Sequence, residues 1–315
     1  GLALTLLLAV DLAVANSAAW LLSPIEVARP SSPLAEALRG AGMPPRLVTP
    51  FPLPTLRLEG LEPAEASWYW GARSLYSGWA VERGVANFEA YAGAIPVRAS
   101  RYRRRAGLLR QLPGVGLWGV SHAVVPEPPE RAAEMNLAPP YRVEARDPLL
   151  GTALLAVAHR PRAYLAEQVR SVDRRAAMEF ALDDASVGGQ VTVVEAAVPP
   201  GLAAPAGETA VVEDLGERVT VAASSDGPAL LVLNDIFAEG WTATLDGAPV
   251  EILPANYLAR GVWMPAGQHR VTFTYRTPGL SQGLLLLGLG LALVAGWAAV
   301  ARARAGAATG AAGAG

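Results

Sequence analysis

Pro228-Ala-Leu-Leu-Val-Leu-Asn-Asp-Ile-Phe-Ala-Glu-Gly-Trp-Thr-Ala-Thr-Leu-Asp-Gly-Ala-Pro-Val-Glu-Ile252 is followed by Ala255-Asn-Tyr-Leu-Ala-Arg-Gly-Val-Trp-Met-Pro-Ala-Gly-Gln-His-Arg-Val-Thr-Phe-Thr-Tyr-Arg276, and no charge then appears from Thr277 to Ala301. This junction decides the fold. Thr242 and Thr244, then Val271, Phe273 and Tyr275, recur at every second position, the period of a half-buried strand. Asp246-Gly247 between two such runs signals a two-residue hairpin, because both turn positions need left-handed backbone. Pro265-Ala-Gly267 marks another turn. The uncharged run is about 25 residues, roughly 37 Å as a helix, enough to cross a bilayer. A core helix of that length would show a charged face, and this one shows none.

Within the junction and just upstream of it, Gln190–Glu195, Arg218–Ser224, Ala229–Asp235, Trp241–Leu245, Val250–Leu253, Ala259–Met264 and His269–Tyr275 are predicted strands, so residues 189–276 read as a β-sandwich-like module. Residues 64–188 read as a mixed α/β region. Trp68, Ala72, Leu75, Tyr76 and Trp79 have helical spacing. Arg101–Leu112 is a basic helix ended by Pro113-Gly114, Leu117–Val125, Tyr141–Glu144 and Ala153–Ala158 are extended, and Ala163–Phe180 is a second helix. Residues 23–63 are Pro-rich and irregular, with room for short strands at Arg46–Thr49 and Thr55–Leu58. Residues 1–22 are apolar apart from Thr5, Asp11, Asn16 and Ser17, and Asp11 interrupts what would otherwise pass for a signal peptide. They read as a transmembrane helix cut off at its start, so the chain reads as the C-terminal piece of a larger polytopic protein. Residues 277–301 are a second transmembrane helix, and 302–315 a disordered tail. The fold class is a membrane protein fragment: two transmembrane helices flanking an α+β extracytoplasmic region that ends in a β-sandwich-like module.

Composition removes several function classes. Net charge is −2 and pI about 6.0, which is no footprint for nucleic acid. With no Cys, disulfides, zinc–thiolate sites and thiol nucleophiles are excluded. His122, His159 and His269 have no metal-ligand spacing, so no metal and no cofactor are expected. Gly114, Gly116 and Gly119 form G-x-G-x-x-G, but the helix precedes and the strand follows, the reverse of a dinucleotide site. A flexible turn is the simpler reading. No pattern pairs a nucleophile with a base, so no catalytic residue is assigned.

Three features could carry binding. Arg101, Arg103, Arg104 and Arg105 are the densest charge cluster, suited to lipid-linked phosphate, although a solvated helix face is the simpler account of them. Trp70 lies off the helical face set by Trp68, Tyr76 and Trp79, and Trp70 and Tyr91 are candidate sugar-stacking aromatics. Asp11 inside a membrane helix costs about 2.5–3.5 kcal/mol and calls for a partner or a cavity.

The string Leu231-Val-Leu-Asn-Asp235, Glu239-Gly-Trp241, Leu245-Asp-Gly247, Ala255-Asn-Tyr257, Arg260-Gly-Val262, Pro265-Ala-Gly267, His269-Arg-Val271 and Tyr275 resembles the C-terminal run of YfhO-type bacterial integral membrane proteins. Asp11-Leu12, Asn87, Ala90-Tyr91 and Val97-Arg98 resemble the family more loosely, and Ala238-Glu239 departs from the Tyr-Pro-like pair usual before Gly-Trp. The resemblance implies kinship with GT-C glycosyltransferases, which move sugars from polyprenyl-phosphate carriers. It places the catalytic acid in an upstream loop that this chain does not contain. The implied setting is the bacterial cytoplasmic membrane with the large domain outside. The partners are then the bilayer, upstream membrane helices of the same protein, a polyprenyl-phosphate-linked sugar and a cell-envelope glycan. The part described by this sequence would shape substrate access. The alternative is a non-enzymatic membrane-anchored β-sandwich for glycan binding or envelope scaffolding.

Overall fold

The computed structural model describes residues 30–39, 45–49, 69, 73–75, 86–87, 96–105, 115–127, 141–183, 185–202 and 204–312. A helix and three sheets stack in layers. The outermost element is α1 (Pro33–Ala37), started by the Ser32 hydroxyl, which accepts from Ala35 N–H at 3.2 Å. It packs Leu34, Ala35 and Leu38 against Leu47, Val124 and Leu154. Those side chains belong to a five-stranded sheet of β1 (Arg46–Val48), β2 (Ala86–Asn87), β3 (His122–Pro126), β4 (Tyr141–Asp147) and β5 (Thr152–Val157), ordered β2-β1-β3-β5-β4. Between β2 and β3 come α2 (Val97–Arg105) and a buried 3₁₀ turn, Val115–Trp118.

The next strands alternate between two further sheets. β6 (Ala163–Leu165), β7 (Gln168–Ser171), β8 (Val191–Val194), β11 (Ala229–Leu233), β14 (Leu253–Ala255) and β15 (Ala259–Met264) form a six-stranded middle sheet, ordered β6-β11-β15-β14-β8-β7. β9 (Gly207–Asp214), β10 (Arg218–Ser225), β12 (Trp241–Leu245), β13 (Ala248–Val250) and β16 (Gly267–Tyr275) form the outer sheet, ordered β13-β12-β16-β10-β9. Short helices α3 (Arg174–Ala181) and α4 (Ala185–Gly188) link β7 to β8. β11 shows why its sequence reads Ala-Leu-Leu-Val-Leu: it is buried at every position. Leu230 and Val232 pack toward Ala123, Val125 and Leu155 of the first sheet. Ala229, Leu231 and Leu233 pack toward Val221, Val271 and Phe273 of the outer sheet. A strand covered on both faces has no polar side to alternate with.

The Asp246-Gly247 hairpin forms as its residues dictate. Leu245 pairs with Ala248, and the two turn residues have φ of 50° and 87°. Elsewhere the structure corrects the sequence reading. Ala163–Phe180 is not one helix. Leu165 pairs with Leu231 and Val169 with Thr192, and only Arg174–Ala181 is helical, started by the Asp173 carboxylate on Ala176 N–H at 2.8 Å. The β module therefore recruits strands from Ala163 onward. Val250–Leu253 is not one strand either, because there the chain leaves the outer sheet and enters the middle one. β9 has no counterpart among the expected strands. The glycine motif is no flexible turn over its described part: Val115, Gly116, Leu117 and Trp118 are all buried.

The final element is α5 (Leu280–Ala312). Its stretch Leu280–Ala298 has mean hydropathy 1.7 and no part buried against protein, and it is the one candidate membrane span among the described residues. Two spans were expected. The first, with Asp11, lies outside the described residues, as do Trp70, Tyr91 and Thr55–Leu58. The expected boundary at Ala301 also moves. The helix continues through residues 302–312, where a disordered tail was expected, since the alanines there favour helix.

Candidate functional site

Where β11 ends, β12 begins and β16 ends, the sheets leave a cavity of about 440 Å³. Trp118, Trp241, Tyr275, Ile236 and Leu258 supply apolar and aromatic wall, and Arg46, Asn234, Asp235 and Arg260 supply the polar part. Its volume falls in the range of small-molecule sites, about 300–1,000 Å³.

The polar part is built around Asp235, whose side chain is 11% exposed. Arg46 reaches it from β1, with Nη2 donating to Asp235 Oδ1 and Nη1 to the Asn234 and Trp118 carbonyls. Arg162 donates from Nη2 to Asp235 Oδ2 at 3.2 Å and from Nη1 to Asp214 Oδ2 at 2.5 Å. Arg260 Nη2 lies 3.9 Å from Asp235 Oδ2, and its Nε donates to the Ile236 carbonyl at 3.2 Å. The Arg260 guanidinium stacks on Trp241, 3.5 Å from the ring centroid, and Trp241 in turn lies 5.3 Å from the Tyr275 ring.

These contacts leave a charge imbalance and loose ends. Arg46, Arg162 and Arg260 outnumber Asp235 and Asp214. Arg260 is only 4% exposed at its side chain, yet its Nη1 has no hydrogen-bond partner among the described residues, and neither has Asn234 Oδ1. Both atoms are shut off from solvent, so each carries the cost of a buried polar group without a protein partner.

The electrostatics follow from burial and neighbours. Burial alone would raise the Asp235 carboxyl, but the charges of Arg46, Arg162 and Arg260 outweigh it and bring the pKa from 3.8 down to about 2. Burial lowers the Arg260 guanidinium; Asp235 opposes this and Arg162 and Arg46 add to it, so the pKa falls from 12.5 to about 10. A carboxylate with a depressed pKa stabilises the fold fully above its ordinary value and loses that contribution as pH falls through its folded value. For Asp235 the window runs from pH 3.8 down to about 2, and the contribution is on the order of 2 kcal/mol. Circular dichroism on acid titration should show this step in the wild type and lack it in Asp235→Asn.

The basic helix divides its charges. Arg101, Arg104 and Arg105 are exposed on α2, and the Arg103 side chain lies outside the description. Arg98, on the same helix, turns inward. It holds Glu195 through both nitrogens, donates to the Tyr257 carbonyl at 3.2 Å and lies over the Phe237 ring at 5.2 Å. Pro96, just before α2, lines the cavity, so the basic helix springs from its edge. Trp241 is half-buried, packed against the core between the middle and outer sheets on one side and lining the cavity on the other.

One other arrangement has a catalytic look. Ser121 Oγ lies 2.8 Å from His122 Nδ1, and His122 Nε2 lies 3.0 Å from Glu144 Oε2. The Ser121 hydroxyl is spent on the backbone: it accepts from Arg46 N–H and donates to Arg46 O, both at 3.2 Å. It ties β1 to the start of β3. Among the described residues, no three His, Cys, Asp or Glu side chains gather as metal ligands.

Residues 213–287 match the family model for the bacterial membrane protein YfhO. The match spans Asn234, Asp235, Trp241, Arg260 and Tyr275, and it leaves out Arg46 and Arg162. No curated protein and no solved structure matches the chain with significance.

Proposed function

We infer, from a chain whose residues 213–287 carry the signature of the YfhO bacterial membrane proteins and run into a membrane-length helix, that this is the extracytoplasmic module and last helix of a polytopic protein handling polyprenyl-phosphate-linked sugars. In this reading the cavity receives the sugar head of that substrate and orients it. The catalytic acid belongs to upstream segments, as the resemblance implies.

The observation that carries the reading is the state of Asp235. It is the one carboxylate among the described cavity residues, and three arginines hold it ionised with a pKa of about 2. A group so weakly basic cannot exchange protons usefully near neutral pH, so the site is built to bind. Position supports the same reading. Tyr275 lines the cavity and Leu280 starts α5 five positions later, at most about 18 Å of extended chain. The cavity wall is thus tethered close to the bilayer. Arg101, Arg103, Arg104 and Arg105, on the helix that begins at the cavity edge, are assigned to the carrier phosphate. Trp70 and Tyr91 are assigned to sugar stacking and Asp11 to a polar partner among the upstream helices.

In the full-length protein, Arg260→Met and Trp241→Ala should each lower glycan transfer by about tenfold or more without loss of membrane insertion. Joint replacement of Arg103, Arg104 and Arg105 by Ala should lower it less. Unchanged transfer by a folded Arg260→Met protein contradicts the role given to the cavity. Glycan capture without any transfer by the wild type selects the scaffolding alternative.

A further inference from the structure

We propose that the β9–β10 turn, with Leu215 at its tip, seats in the interface of the bilayer that α5 enters. A single exposed leucine is ordinary on a protein surface. This one is distinguished by its place. Leu215 is 58% exposed, and Glu217, two residues on, accepts from Tyr275 N–H at 2.7 Å. Tyr275 is the last residue of β16, and the helix that follows exposes Leu280, Leu284 and Leu287 at 55–59% with no protein covering them. The turn is therefore fastened to the point where the chain heads for the membrane.

The turn is also held rigid enough to present its tip. Leu215 N–H donates to the Arg218 carbonyl at 2.8 Å, and Gly216 N–H donates to Asp214 Oδ1 at 3.2 Å. Asp214 is itself paired with Arg162. The flanking charges are mixed, Asp214 and Glu217 against Arg218 and Arg276, so an anionic lipid has no special advantage. The occupant that fits is the acyl–headgroup boundary of a neutral or zwitterionic bilayer, entered by an aliphatic tip. Such a seat gives the β module a second attachment beside α5 and limits its rotation about the linker.

The chain has no cysteine, so one can be placed at will. Leu215→Cys, labelled with an environment-sensitive fluorophore in the full chain reconstituted into phosphatidylcholine nanodiscs, reports the tip. Glu208→Cys, exposed near the opposite end of β9 and about 24 Å away along the strand, is the control. The expected result is a blue-shifted emission at position 215, quenched about twofold or more by doxyl-labelled lipid, with position 208 unaffected and with no dependence on added anionic lipid. Equal and negligible quenching at both positions overturns the proposal. A blue shift at 215 without lipid quenching also overturns it, because the tip is then covered by protein.

Discussion

Asp235→Ala should destabilise the folded module by about 3–5 kcal/mol, the largest single-residue effect expected here. The carboxylate is the common counter-ion of Arg46, Arg162 and Arg260, and removing it leaves mutually repelling guanidinium groups in a poorly solvated place. Arg260 suffers most, because its pKa already stands at about 10 and Asp235 is the largest influence raising it. The loss also weakens the polar tie between the layers, since Arg46 on β1 then keeps the Asn234 carbonyl but no carboxylate at the end of β11. Asp235→Asn should fall between wild type and Ala, keeping shape and a hydrogen-bond acceptor while losing charge. Denaturant unfolding followed by intrinsic fluorescence measures all three. Equal stability of Asp235→Ala and wild type would show that the clamp adds nothing to the fold.

Gly240→Ala should cost about 3 kcal/mol or more, from strain and overlap together. Gly240 has φ of 95°, which a side chain rarely tolerates. A Cβ there would lie 2.4 Å from the Arg276 carbonyl oxygen, which is main chain and cannot swing away. Gly240 O also accepts from Arg276 N–H at 2.8 Å, closing the sheet just before the chain leaves for α5. The substitution should therefore disturb the Trp241 wall as well as stability. The expected readouts are a lowered melting temperature and loss of the Trp241–Arg260 stack, seen as a red shift in Trp emission. An unchanged melting temperature would contradict the close packing at this turn.

The parts of this fold legible in the sequence are those governed by local chemistry. Asp246-Gly247 admits few conformations, and Ala259–Met264 and Trp241–Leu245 are strands at the expected bounds. The helix from Leu280 is legible because its uncharged run is long and apolar enough to cross a membrane. What escaped the sequence depends on partners. β6 and β7 are short, and Ala163–Leu165 is extended because it pairs with β11 some 70 residues later, a preference no local pattern carries. β9 is an edge strand with mostly exposed or half-buried residues, so it lacks a strong apolar alternation. None of the cavity residues was picked out as a site from the sequence. A signal was there: Asp235 after a wholly apolar strand and Arg260 inside Ala-Arg-Gly-Val-Trp-Met are charges where burial is due, as in an internal ion pair. Their third and fourth partners were not visible: Arg46 is 189 residues from Asp235, and Arg162 is 73 residues away. The arginines of α2 divide for the same reason: Arg101, Arg104 and Arg105 face solvent, whereas Arg98, isolated at the start of the helix, makes internal contacts with partners 97 and 159 residues away.

The central claim is that the cavity beside Asp235 receives the sugar head of a membrane-carried substrate. A photo-crosslinking residue in place of Ala238, which lines the cavity, tests it in intact membranes. The account predicts a light-dependent adduct carrying both lipid and glycan at position 238, absent from a control at Glu208 and lost with Arg260→Met. An adduct missing at 238, or formed there equally in Arg260→Met, would contradict it.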